Sequence, residues 1–181
     1  MQVTGYYLRE LEPSDIVAIN EWRNNPDIIA SLGSPFRYIS SIVDEKWLNS
    51  YLSNRSSCIR LAICSSADAK VIGAAYLLNI DWLARNCEFA IWIGDEAAQG
   101  YGAGKYATIK TLEHAFFDLN LNSVYLTVLK TNERAASLYK KIGFQVEGVR
   151  RQAVFKNGSY TDLVMMSILK SEFSPAIRPP A

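Results

Sequence analysis

Glu88, Tyr139 and the run Gln99-Gly-Tyr-Gly-Ala-Gly104 are the residues whose types and spacing could do chemistry. A carboxylate can take a proton from an amine, a phenol can give one to a leaving group, and bare glycine backbone can bring N–H donors against a bulky anion. Gly100, Gly102 and Gly104 stand just ahead of Ile109, Leu112, Phe116 and Leu119, which recur at helical spacing. The glycines therefore lie at a helix N-terminus, where unpaired donors and the helix dipole favour phosphate. Their G-x-G-x-G spacing is not the G-x-G-x-x-G of a dinucleotide fold, and no Gly-Lys-Ser/Thr follows as in a P-loop. Taken alone, the run also fits an ordinary tight strand-to-helix connection.

Upstream of the glycines, Phe89, Ile91 and Ile93 alternate with Glu88, Ala90 and Trp92, the period of two that a strand shows. Downstream comes Asn132-x-x-Ala-x-x-x-Tyr139-x-x-x-Gly143-Phe144. Gln99-x-x-Gly102-x-Gly104 after a strand, followed by that second motif about thirty residues on, resembles the GCN5-related N-acetyltransferase (GNAT) family. The resemblance runs from about Tyr7 to Leu169 and is closest to the branch of ribosomal-protein, spermidine and amino-sugar acetyltransferases. It implies an α/β (α+β) fold, a mixed and mostly antiparallel central sheet flanked by helices, with splayed central strands holding acetyl-coenzyme A. It further implies that backbone at Gln99, Gly100, Tyr101, Gly102, Ala103, Gly104 and Lys105 holds the pyrophosphate, and that Ile91, Trp92 and Ile93 offer main-chain groups to the pantetheine amides. Lys105 either adds a positive charge there or is a solvated lysine in the first helical turn. Asn132 begins the second helix, where its amide caps the helix, bonds to the pantetheine arm, or does both.

The reaction so implied is attack of a primary amine on the thioester of acetyl-coenzyme A. An alkylamine with a pKa of about 10.4 is almost wholly protonated at neutral pH, so something must take its proton. Glu88 is the candidate general base, directly or through water; its other reading is an ion pair with Arg85 or Arg60. Tyr139 matches the tyrosine that many relatives use to protonate the coenzyme A thiolate; its other reading is an aromatic of the core. His114 is the only histidine, with Lys110 and Asp118 one turn away on either side and no partner for a triad or a metal, so it reads as structural. Arg150, Arg151 and Lys156 form a small basic cluster, either solvated or placed to meet the adenosine 3′-phosphate. The Trp22-Arg-Asn-Asn25 run occurs in amino-sugar acetyltransferases of this branch, and otherwise packs the first helix.

The elements that must position these groups can be read in order. Tyr6 to Leu11 reads as a strand, and Pro13-Ser-Asp15 opens a helix with Ile16, Ile19 and Trp22 on its apolar face, stopped by Asn24-Asn-Pro26. Residues 27 to 41 predict a short helix and an irregular loop, and Val43, Trp47, Leu48 and Tyr51 mark a second amphipathic helix. Ile59 to Cys64, Val71 to Leu78 and Glu88 to Ile93 predict an antiparallel meander. Ser123 to Leu129 is a buried strand, Asn132 to Ile142 a short helix, and Asn157-Gly158 a hairpin turn between two final strands.

With 181 residues, 49% of them hydrophobic, the chain suits one folded domain: residues 1–170 are expected to form a single N-acetyltransferase domain and 171–181, with three prolines, a loose tail. A net charge of +1 gives no global field for nucleic acid or an anionic membrane, so neither is expected as a partner. Cys58, Cys64 and Cys87 form no C-x-x-C pair, which points to no disulfide framework, no metal and a reduced, cytoplasmic setting. The acceptor is expected to be a small-molecule primary amine, an amino sugar or a polyamine-like compound. The alternatives are a protein N-terminal amine, as in ribosomal-protein acetyltransferases, and a non-catalytic acyl-coenzyme-A-binding module. Polyamine enzymes of this branch carry an acidic run between the first two helices, whereas Ser31-Leu-Gly-Ser-Pro-Phe-Arg-Tyr38 has a cation and no carboxylate, favouring a neutral or anionic acceptor. A homodimer is the assembly expected from the family.

Overall fold

The computed structural model describes residues 5–174. Its strands are β1 (Tyr6–Glu10), β2 (Ile59–Ser65), β3 (Val71–Asp81), β4 (Asn86–Ile93), β5 (Ser123–Leu129), β6 (Gln145–Lys156) and β7 (Ser159–Leu169). Its helices are α1 (Ile16–Arg23), α2 (Pro26–Ala30), α3 (Ser41–Ser53), α4 (Ala103–Glu113) and α5 (Glu133–Ile142). All seven strands lie in one sheet, ordered β1-β2-β3-β4-β5-β7-β6. Every neighbouring pair is antiparallel except β4 with β5, so the mixed, mostly antiparallel sheet expected from the sequence is present.

Helices cover both faces. Phe89, Ile91 and Ile93 of β4 join Leu112 and Phe116 of the α4 segment in one hydrophobic cluster, while Ala90 and Trp92 join Ile19, Trp22 and Leu48 in another. The alternation seen in β4 therefore separates two covered faces rather than core from solvent. Asn157 and Gly158 both take positive φ between the paired Lys156 and Ser159, the backbone that a two-residue hairpin turn requires. The tail expected to be loose from Ser171 is held further: Phe173 is buried against Phe116 and Phe117, and the rest of the expected tail, residues 175–181, lies outside the described residues.

The inward face of α3 differs by one position from the periodic reading. Val43 is 54% exposed, whereas the Asp44 side chain is wholly buried beside Leu48 and Tyr51. Asp44 forms an ion pair with Arg23 of α1 and accepts a hydrogen bond from the Asn20 amide at 2.8 Å. An apolar pattern cannot reveal this, because a carboxylate enters a core only when a cation and further donors from another helix meet it.

Gly94, at the end of β4, is required by a close approach. A Cβ there would stand 2.0 Å from the Trp22 ring, which in turn packs edge-on against Trp92 at 5.5 Å between centroids. Replacing Gly94 by alanine is expected to lower unfolding stability by about 1–3 kcal/mol, the usual result of overpacking. In a chain that already carries Trp22→Leu, the same alanine should cost much less, although Trp22→Leu is itself destabilising. Urea melts of the two single variants and the double variant check this coupling, and simple additivity would contradict it.

Candidate active site

Only three residue pairs join β4 to β5: Asn86 with Ser123, Cys87 with Val124 and Glu88 with Tyr125. Beyond Glu88 the two strands part, although β4 stays paired to β3 as far as Ile93 and β5 to β7 as far as Leu129. The edges Phe89–Ile93 and Leu126–Leu129 therefore face each other unpaired across a cleft of about 1270 Å³. The Ile93 carbonyl accepts from the Gln99 side chain at 3.3 Å and the Leu129 carbonyl from the Asn132 N–H at 2.8 Å; the other inward N–H and C=O groups of these edges need partners, which an extended ligand rich in amides can supply. Ile91, Trp92 and Ile93, chosen from the sequence for main-chain contacts, all line it.

At the open end of the wedge, β4 runs through the glycine loop into α4. Gly100 (φ +92°) and Gly102 (φ +96°) hold left-handed backbone, and no heavy atom lies within 4 Å of where a Cβ on Gly102 would stand. Gly102 is the N-cap of α4, so the N–H groups of the first turn are directed at this open space. Gly104 has ordinary helical backbone, with the Leu138 side chain 3.9 Å from its missing Cβ, so only two of the three glycines are demanded by conformation. Gln99, Gly100, Gly102, Gly104 and Lys105 line the cleft. Tyr101 and Ala103 do not: Tyr101 is exposed, its carbonyl accepting from the Tyr6 hydroxyl, and Ala103 is buried in the core. Arg134, which was not singled out from the sequence, brings its guanidinium within 3.7 Å of the Gly100 Cβ position. Its place becomes visible only when α5 packs beside the loop.

α5 closes the wedge from the β5 side. Asn132 caps it by accepting from the Ala135 N–H at 3.1 Å and also donates to the Ser31 carbonyl at 3.0 Å, so one carboxamide ties this helix to the loop before α3. Gly143 (φ +118°) ends the helix and lets Phe144 turn back onto Tyr139. Tyr139 is 8% exposed, with its ring edge-on to Phe89 and tilted against Phe144. Its phenol lines the cleft and has no hydrogen-bond partner among the described residues. Burial pushes that phenol up to about 12, which keeps it protonated and able to donate. Tyr139 is thus an aromatic of the core that also borders the cleft.

Glu88 sits at the last pair before the strands part, on the face shared with Ala90 and Trp92. It accepts a hydrogen bond from the Asn79 amide at 3.0 Å and forms no ion pair with Arg85 or Arg60 among the described residues. Asn79 reaches it from an irregular stretch of β3, where its own φ is +51°. Tyr139 and Glu88 therefore approach the vertex from opposite faces of one strand.

The Trp22-Arg-Asn-Asn25 run builds the Glu88 side. Trp22 packs on Trp92, Arg23 pairs with Asp44, Asn24 clamps both backbone groups of Ile39, and Asn25 caps α2. Lys156 donates to the Ile29 carbonyl at 2.6 Å, which separates it from Arg150 and Arg151. Those two arginines line a different depression with Asp162, so the cluster read from the sequence is divided and neither arginine reaches the cleft. His114 lies against Asp118 at 2.7 Å in the π-helical turn that extends α4, away from the cleft.

A family model for the acetyltransferase (GNAT) domain matches residues 6–145. The chain is 31% identical over 167 residues to the spermidine N(1)-acetyltransferase of Vibrio cholerae, covering 92% of this chain and 94% of that protein. It is 35% identical over 106 residues to a putative ribosomal N-acetyltransferase of Bacillus subtilis, covering 59% and 57% respectively. The crystal structure of the Vibrio cholerae spermidine N-acetyltransferase with CoA and spermine superposes with a TM-score of 0.86 at 30% identity, covering 92% of this chain and 96% of that one.

The backbone difference between the glycines is measurable. Gly102→Ala is expected to cost about 1–2 kcal/mol, because an alanine must adopt a left-handed conformation. Gly104→Ala is expected to be neutral or stabilising by up to about 1 kcal/mol, since alanine favours a helical site over glycine. Denaturant melts of both variants test the contrast.

Proposed function

Because the chain belongs to the GNAT acetyltransferase family and is an acetyl-coenzyme-A-dependent N-acetyltransferase, we propose that its acceptor is a small-molecule primary amine that enters the wedge from the α1 and α3 side. The observation that carries this reading is the parting of β4 and β5 after Glu88, with an unpartnered phenol on one face and a carboxylate on the other. Bound acetyl-coenzyme A supplies the acetyl thioester. The residues present fit such a molecule: the open space at Gly102, the first-turn donors of α4 and the cations Lys105 and Arg134 suit a diphosphate, and the free edge of β4 suits the amides of its arm.

In this reading Glu88 accepts the proton of the incoming ammonium, directly or through water, and releases a neutral amine beside the vertex. Asn79 holds one carboxylate oxygen and so fixes the direction of the other. Tyr139 donates to the departing sulfur, a task suited to a phenol that burial keeps protonated. Asn132 keeps α5, and with it Tyr139, in register with the acceptor loop. The spermidine acetyltransferases among the relatives make polyamines the first compounds to try. Against a polycation stand Arg37 and the absence of any carboxylate between Ser31 and Tyr38. That loop is pinned at Ser31 by Asn132 and at Ile39 by Asn24 and Asn20, an arrangement that supports a small acceptor over a peptide.

Thiol release from acetyl-coenzyme A across polyamines, amino sugars, amino acids and a short peptide is the test. Turnover with small amines supports the proposal, and turnover with the peptide alone overturns it. Tyr139→Phe is expected to lower kcat by at least about tenfold while the Kd for coenzyme A stays within about twofold. Because the phenol is held near 12, its ionisation should cause no decline of the wild-type rate at pH 10. Glu88→Gln is expected to alter the pH dependence of kcat/KM, and an unchanged profile would remove Glu88 from the role of base.

A further inference from the structure

Arg60 of β2 lies on the acceptor side of the cleft with its positive charge uncompensated. Its guanidinium carbon sits 4.7 Å from the Trp47 ring centroid, 4.9 Å from that of Tyr76 and 5.7 Å from that of Tyr51. Its Nε is buried and has no hydrogen-bond partner, and no ion pair includes Arg60 among the described residues. The nearby carboxylates are committed elsewhere. Asp44 serves Arg23 and Asn20, while Glu10 serves Arg55 and the Tyr51 hydroxyl. Arg23, Arg37, Arg60, Trp47 and Tyr76 all line the cleft, where the facing carboxylates on this side are Asp27 and Glu88.

Aromatic faces stabilise a guanidinium by about 0.5–2 kcal/mol, and they fix its plane, but they leave its N–H donors unused. A planar fork of donors held between rings is matched in shape and charge by a carboxylate or a phosphate, and it repels an ammonium. We propose that Arg60 determines acceptor specificity by binding an oxyanion carried by the acceptor amine, so that the preferred substrates are amines bearing a carboxylate or phosphate at some distance from the nitrogen.

Sheet geometry places the two ends. Arg60 pairs with Tyr76 and Tyr76 with Ala90, so these three lie in one row across β2, β3 and β4, and Glu88 is two residues along the same face. Two strand spacings and one two-residue step put the Arg60 and Glu88 backbones about 12 Å apart. Their side chains can therefore bracket an acceptor whose amine is at Glu88 and whose anion is at Arg60. The inference rests on the acetyltransferase reading above and adds the class of acceptor.

The experiment compares ω-aminohexanoate, ω-aminohexyl phosphate, hexylamine and spermidine as acceptors for the full chain. The expected result is a kcat/KM for one of the two anionic amines at least about tenfold above that for hexylamine, expressed mainly in KM. In Arg60→Met that ratio should collapse toward one, and Arg60→Lys, which keeps the charge without the fork, should restore part of it. The arm that shows the larger ratio identifies carboxylate or phosphate as the group bound. A wild-type preference for hexylamine or spermidine, or a ratio that survives in Arg60→Met, overturns the proposal. If Arg60→Met does not fold, the ratio in Arg60→Lys decides. Should no amine release thiol, the acetyltransfer reading fails on its own. Calorimetric titration of the coenzyme-A-saturated protein with the same compounds then tests Arg60 separately, where equal Kd values for ω-aminohexanoate, ω-aminohexyl phosphate and hexylamine overturn it.

Discussion

Three backbone pairs, and no more, join β4 to β5. Every other neighbouring pair of strands in the sheet is antiparallel and directly stitched, whereas this parallel junction at its centre stops at Glu88. Two strands that diverge leave their inner edges without partners, a costly state for backbone unless something lies between them. The structure tolerates the opening because one apolar cluster, built on α4 and α5, spans both sides of it on one face, while a second, built on α1 and α3, braces β1 to β4 on the other. The fold thus carries an opening in its middle that is framed by rigid strands rather than by mobile loops.

The parts of the site that can be read in the chain are those set by local rules. Strand β4, the glycine turn and α4 follow one another, so alternation, positive φ and helical spacing report them without knowledge of the rest. The same is true of α5, where Asn132 caps, Gly143 ends the helix and Tyr139 falls on the buried face. What escaped was non-local. Asp44 is an acidic residue at the centre of a core because Arg23 and Asn20 from α1 surround it, and no window of sequence around Asp44 contains them. Arg134 is near Gly100 and Arg60 is between Trp47 and Tyr76 only after distant elements pack. Gly104 differs from Gly100 and Gly102 in a way spacing does not show: it lines the cleft with them, but its backbone is that of an ordinary helical residue.

The two faces of the opening differ in chemistry. On the α4 and α5 side, apolar residues enclose a phenol and lead to a loop of bare backbone flanked by Lys105 and Arg134. On the α1 and α3 side, guanidinium groups and indole and phenol rings alternate: Arg23 and Arg60 each lie within 6 Å of the Trp47 ring. Aromatic walls of this kind lower the cost of holding cations in a half-buried place, where bare hydrocarbon would not. A single strand separates these environments, and its alternating side chains serve both.

Asn132 has one further consequence. Its carbonyl oxygen finishes the first turn of α5 while its nitrogen grips the Ser31 backbone, so the helix on one side of the opening and the loop after α2 share one pivot. Slack introduced at that pivot cannot be confined to one compartment. Any other loop grafted after α2 would have to bring a backbone carbonyl to the same point beside Asn132, or forfeit the alignment of both sides at once.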